Sequence, residues 1–226
     1  MNESNQLTIY CIPGLGVNSH LFKKLKLSAC TIRHIKWIDP FKKERLDQYA
    51  MRLAEQIDTS SPFVLIGVSF GGMCCIEIAK KLSPLKTFLI SSSKTCYEIP
   101  IRVRLLAILP IHILIKGDFH MKIVWLLKII FKITPEVEKD YDDVLSHLPQ
   151  NYLGRAIQMI VTWKNKTCPN HVVQIQGTED RVLPFKGNVE YQYTIKNGTH
   201  IMVLDHPEEI SEILNKELEE INLGFS

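Results

Sequence analysis

No two cysteines in this chain are spaced C-x-x-C, and no histidine or cysteine cluster has the spacing of a zinc site. The six cysteines, at 11, 30, 74, 75, 96 and 168, therefore read as reduced, buried thiols, not as a disulfide framework or a metal centre. A signal peptide is missing too. The opening "MNESNQLTIYCIPG" has no basic start followed by an apolar stretch, so a cytoplasmic location is expected. On that footing the triplets "NKT" at Asn165 and "NGT" at Asn197 are chance matches to the glycosylation pattern. Charge of one sign is scarce: the net charge is +3 over 226 residues. No basic run is interleaved with aromatics, which argues against a nucleic-acid partner. Internal repeats and low-complexity linkers are also absent.

What the chain has is core material and alternation. Hydrophobic residues make up 46% of it, and the length suits one α/β domain. Strands are predicted over 7–13 ("LTIYCIP"), 30–38, 63–69 ("FVLIGVS"), 86–92, 171–177 and 190–195. The run at 63–69 is apolar and β-branched throughout, as befits a strand buried on both faces. Helical spacing follows at 44–57, where Leu46, Ala50, Leu53, Ala54 and Ile57 share one face, and at 70–82. A last helix over 207–221 carries an acidic first turn, favourable at the positive end of its dipole. Strands alternating with helices predict a mostly parallel sheet with helices on both faces.

The stretch 94–166 breaks this alternation. Its pattern is helical without a strand signal, so residues 1–93 and 167–226 form the expected core and 94–166 a helical cap inserted into it. Within 101–133 stand six Lys/Arg against one Asp on a strongly apolar background. Lys122, Lys128 and Lys132 fall within roughly a third of a helical wheel, which leaves Ile123, Val124, Leu126, Leu127, Ile130 and Phe131 to be buried. Pro110, Lys116, Gly117 and Asp118 interrupt the run before the ~20 apolar residues of a spanning helix accumulate. Packing on the sheet is the expected use of this face; peripheral contact with an anionic membrane is the alternative. Thr134-Pro135-Glu136 reads as the N-cap and first turn of a further helix.

"LIGVSFGGMCC", residues 65–75, sets Ser69 between Gly67 and Gly71 at the junction of a predicted strand and helix. A hydroxyl needs a base, a group to orient that base and donors for the oxyanion before it attacks a carbonyl. Gly-x-Ser-x-Gly at such a junction exposes the serine at a strained tip, and the helix start offers N–H groups to developing negative charge. The bare motif arises by chance in roughly one chain in ten to twenty of this length, so its weight depends on partners. "QGTEDRVLP" (176–184) puts Glu179 and Asp180 just past a strand, and "KNGTHIMV" (196–203) puts His200 in a loop past the next. Serine, acid and histidine then occur in the order used by hydrolases built on a parallel sheet.

"IPGLG", "GVSFGG", "GTEDRVLP" and "GTHIMV", in that order, resemble the α/β-hydrolase superfamily of the serine esterase and lipase type, over nearly the whole chain. The resemblance implies Ser69 as nucleophile, His200 as base and then acid, and Asp180 as the residue that orients His200. It also implies an oxyanion hole formed by the backbone N–H groups of Leu15 and Phe70. No cofactor or metal is implied. The first strand here matches the third of the full family fold, so a sheet of about six strands is expected. The "E-D-R-V-x-P" context favours Asp180 over Glu179 as the acid. Asp205 reads as an N-cap for the last helix, and His20 as a solvent-exposed or capping residue that could instead line the pocket. His34, His112, His120, His147, His171 and His206 have no partner spacing. Cys74 and Cys75 read as packing residues behind Ser69. Two departures stand out: relatives often have His-Gly where this chain has Pro13-Gly14, and a histidine where it has Gln176. The implied activity is hydrolysis of a small-molecule carboxylic ester or thioester with a hydrophobic acyl or alcohol part. A binding protein on the same fold, with these residues unused, is the alternative.

Overall fold

The computed structural model describes residues 7–105, 152–187 and 189–223. Most of the expected cap lies outside the described residues, including the lysine-bearing helix around 122–132, the cap at Thr134 and His112, His120 and His147. Elements are numbered over the described residues. Strands are β1 (Leu7–Ile12), β2 (Cys30–His34), β3 (Phe63–Val68), β4 (Lys86–Ile90), β5 (Val172–Gly177) and β6 (Tyr193–Ile195). Helices are α1 (Leu46–Ala54), α2 (Phe70–Leu82), α3 (Ile101–Leu105), α4 (Tyr152–Thr162), α5 (Met202–Asp205) and α6 (Pro207–Leu223), with a 3-10 turn at Ser19–Phe22.

The six strands form one sheet in the order β2-β1-β3-β4-β5-β6, every pair parallel. Side chains two apart share a face, and the core divides accordingly. Tyr10, Ile12, Phe63, Leu65 and Leu89 join a cluster with Leu46, Ala50 and Leu53 of α1, Met73 and Ile76 of α2, and Tyr152 and Ala156 of α4. Ile9, Cys11, Val64, Ile66, Val68, Phe88 and Ile90 face the other way, onto Met202 and Leu204 of α5 and Ile210, Leu214 and Leu218 of α6. All six residues of β3 are buried, as a strand sandwiched between two helix layers requires. Each such Leu, Ile or Phe contributes about 1.5–3 kcal/mol by leaving water.

Two strands, β2 at its end and β6 at its start, fall furthest short of their sequence patterns. Ile35 N still donates to Cys11 O at 3.0 Å, but Lys36 then gives its N–H and its carbonyl to the Gln56 side chain, which stops β2 before Trp37 and Ile38 can join it. At the other edge, the Gln192 side chain occupies Gln174 N at 2.9 Å, so β6 begins only at Tyr193. The thiols also need a correction. Cys11, Cys74, Cys75 and Cys96 are buried as expected, but Cys30 is only half-buried and Cys168 is exposed, in the loop before β5.

Register aligns the carboxyl ends of the central strands. Ile12 lies opposite Gly67, Val68 opposite Ile90, Ile90 opposite Ile175, and Gly177 opposite Ile195. The loops after β1, β3, β4, β5 and β6 therefore open along one edge. The chain steps outward from β1 to β2 and then crosses to β3 on the other side of β1. That reversal places a crevice between the ends of β1 and β3, where parallel sheets bind ligands.

Candidate active site

Ser69 stands at that crevice. Its N–H continues the ladder to Ile90 O at 3.0 Å, while its carbonyl already accepts helix bonds from Gly72 N (3.0 Å) and Met73 N (3.3 Å). Strand therefore becomes helix at one residue, which requires φ 52°, ψ −118°. A non-glycine residue at positive φ costs about 1–3 kcal/mol and persists only where its surroundings hold it. Ser92 Oγ adds a third bond to the same carbonyl, at 2.6 Å. The flanking glycines are needed for close approach. A Cβ on Gly71 would lie 2.2 Å from the carbonyl oxygens of both Ile12 and Pro13, and one on Gly67 2.5 Å from Gly72 Cα. Because α2 presses on the end of β1 in this way, the Pro13-Gly14-Leu15 turn runs beside the serine. The Cβ position of Gly14 is 3.6 Å from Ser69 Cβ.

The loops after β5 and β6 are locked together by an equally close approach. A Cβ on Gly177 would lie 2.2 Å from Gly198 O. Thr178 N donates to Ile195 O and Glu179 N to Gly198 O, each at 3.0 Å. This turn sends Glu179 out to solvent and Asp180 inward, where it is 3% exposed, so the two neighbouring carboxylates are told apart by burial. Asp180 Oδ1 accepts Val182 N (2.8 Å) and Leu183 N (2.9 Å), and Oδ2 accepts Gln176 Nε2 (3.0 Å). His200 Nδ1 lies 2.8 Å from the same Oδ2, and its Nε2 lies 2.9 Å from Ser69 Oγ. In the tautomer that carries its hydrogen on Nδ1, toward Asp180 Oδ2, Nε2 presents its lone pair to the serine hydroxyl.

The other candidates fall elsewhere. His20 is exposed on the 3-10 turn, next to His34, whose pKa is pushed down by burial and then by His20. Asp205, expected as a cap for the last helix, instead closes α5 and accepts Thr199 Oγ1 at 2.7 Å, so it braces the loop that carries His200. Cys74 and Cys75 are fully buried behind the serine, and burial pushes both thiols far up, which leaves them inert as nucleophiles. Among the described residues no group of three or more His, Cys, Asp or Glu side chains is placed to hold a metal ion, and no helix is long and apolar enough to cross a membrane.

Some residues at the site carry no chemical signature in the sequence. Ser92 braces the serine carbonyl, and Gln176 meets the buried carboxylate. Trp37 donates from Nε1 to Val17 O at 2.8 Å and stacks on Phe70 with ring centroids 5.4 Å apart, which supports the turn beside the serine. Trp37, Tyr49, Phe70 and Tyr152 stack on one another in the buried core behind that turn.

No curated protein matches the sequence. Among solved structures, the chain is similar to a thermophilic esterase from Thermogutta terrifontis with malate bound (TM-score 0.74, 15% identity, covering 96% of this chain and 91% of that one). It is also similar to a type II thioesterase of a yersiniabactin biosynthetic pathway (TM-score 0.59, 15% identity, 100% and 96%). A third is an epoxide hydrolase from Bacillus megaterium (TM-score 0.68, 10% identity, 95% and 94%). At such identities the likeness is one of fold, and three reactions on one fold leave the chemistry to the site. A family profile, described as the alpha/beta hydrolase family, matches residues 12–213, from the end of β1 into α6 and through Ser69, Asp180 and His200. The chain belongs to the alpha/beta hydrolase family.

Proposed function

We propose that the chain is a serine hydrolase that cleaves a carboxylic ester or thioester through an acyl-enzyme. The observation that carries this reading is the continuous relay from Ser69 Oγ through His200 to Asp180, at 2.9 and 2.8 Å. Ser69 Oγ attacks the acyl carbonyl as His200 Nε2 takes its proton, and Asp180 stabilises the imidazolium that results. The tetrahedral intermediate collapses, the carbon–oxygen or carbon–sulfur bond breaks, and Nε2 returns the proton to the departing alcohol or thiol. Water then repeats the sequence from the other side and releases the acid. The backbone N–H groups of Leu15 and Phe70 receive the oxyanion. Phe70 opens α2, where N–H groups have no intrahelical partner, and Leu15 follows the glycine whose Cβ position lies against Ser69. Neither donor needs a histidine side chain, so Pro13-Gly14 serves as well as His-Gly.

The strongly apolar sequence of 101–133, expected to cover the core, suits a substrate with a hydrophobic acyl or alcohol part. A fluorophosphonate probe and a series of nitrophenyl esters of rising acyl length test the reading together. The wild-type protein is expected to take up the probe and to hydrolyse the esters, and Ser69→Ala to lose both. If the folded wild type neither reacts with the probe nor turns over any ester, the proposal fails and the binding-protein reading takes its place.

A further inference from the structure

Asp180 sits among donors. Its two oxygens are met by Val182 N, Leu183 N, His200 Nδ1 and Gln176 Nε2, all within 3.0 Å. Three of these come from its own turn or from the histidine it faces. The fourth comes from the β5 strand. Gln176 is 1% exposed, and its Nε2 also donates to Leu183 O at 2.8 Å, so both amide hydrogens are committed within one buried turn. The amide and the imidazole share a single oxygen, Oδ2, which fixes the direction in which that oxygen presents its remaining lone pair to His200. It also closes the Gly177–Leu183 turn from inside.

We propose that Gln176 is a positioning residue for the reaction: its amide aims Asp180 Oδ2 at His200 and so sets the rotamer and basicity of the imidazole. This inference rests on the serine-hydrolase reading above. An amide suits the task because it donates without titrating, so the orientation of Asp180 persists on both sides of the histidine's own titration. A leucine or methionine would leave Oδ2 and Leu183 O each one donor short inside the protein, at a cost that charged and buried acceptors make large. Among the described residues, the charged or titratable groups near this pair include Glu179 and Arg181 on the turn, Asp205 behind Thr199, Tyr191, and Glu98 against Gln174 of β5. Burial raises the Tyr191 pKa most, and the charges of Glu98 and then Asp180 add to it.

Gln176→Met keeps the length of the side chain and removes both donors. Ester kcat is expected to fall about tenfold to a hundredfold, the change that matches one hydrogen bond to a charged group, with KM little altered. With one donor fewer, the carboxylate draws the imidazolium more strongly. The acid limb of the kcat/KM profile should therefore move to higher pH, and the most downfield imidazole proton resonance should shift. A role confined to holding the turn would lower the melting temperature and leave limb and resonance where they are; that result overturns the proposal. Gln176→Asn serves if the methionine variant does not fold. It keeps an amide but falls one methylene short of Oδ2, and the acid limb should again move to higher pH; a wild-type limb there also overturns it. Wild-type protein inert to fluorophosphonate would defeat the hydrolase reading itself. Active wild type with an unaffected Gln176→Met would defeat only this inference.

Discussion

At the scale of single residues, the choice between Glu179 and Asp180 shows how far side-chain identity reaches. Both are carboxylates, adjacent in a turn, and only the fold makes one an exposed charge and the other the buried partner of His200. The motif context favours Asp180, and the geometry separates the two side chains: Glu179 N is tied to Gly198 O and the next residue turns inward. Asp180→Asn should be severe without unfolding the protein. The new amide cannot accept from four donors, so its N–H forces His200 to carry its hydrogen on Nε2 and leaves Ser69 without a base. We expect kcat to fall about 10³–10⁴-fold with fluorophosphonate labelling lost and the far-UV circular dichroism unchanged. Glu179→Gln should stay within about twofold of wild type, and the reverse pattern would reassign the acid. Gln176 was visible in the sequence only as a departure from the usual histidine. An amide has no reactivity to mark it, and its role depends on a reach across the turn that spacing does not reveal.

At the scale of elements, the strand and helix centres were legible because periodicity is a property of consecutive residues, and α2 falls on its expected bounds. The ends of β2 and β6 were not legible, because they are set by Gln56 and Gln192 side chains arriving from elsewhere in the chain. Such a short β6 needs support, and α6 provides it. Glu217 receives Lys86 Nζ from β4 at 2.5 Å and Tyr193 Oη from β6 at 2.6 Å. Burial alone would push Glu217 up, yet its hydrogen bonds from Lys86 and Tyr193 hold it below the usual carboxylate range. The Tyr193 hydroxyl is pushed up to about 12, first by its hydrogen bond to Glu217. A group whose folded pKa is raised stabilises fully below its unfolded value, about 10 for tyrosine, and loses that contribution as pH climbs through the folded value. Urea midpoints should therefore decline from about pH 10 toward 12, and Tyr193→Phe should decline less over that window. Equal slopes would remove Tyr193 from the linkage.

At the scale of the whole molecule, the sheet is one wall shared by two cores, and four cysteines report on them separately. Cys11 lies in the core facing α5 and α6, while Cys74, Cys75 and Cys96 lie in the core facing α1, α2 and α4. The sequence showed that these thiols avoid disulfide and zinc spacing, but not which face each occupies or that Cys168 would be out in solvent. Thiols react as thiolates, and burial pushes Cys11, Cys74 and Cys75 far above the ordinary thiol range. In the native protein an aromatic disulfide reagent should modify Cys168 first and Cys30 more slowly, leaving the four buried thiols silent. With rising urea those four should become reactive in a single transition that coincides with the loss of far-UV circular dichroism. The reason is geometric: β1, β3 and β4 each contribute side chains to both cores, so neither helix layer can lose its packing without stripping one face from strands that the other layer needs. Reaction of Cys74 and Cys75 at clearly lower urea than Cys11 would mean instead that the α1–α2–α4 layer opens as a separate unit, and the shared-wall account of stability would have to be given up.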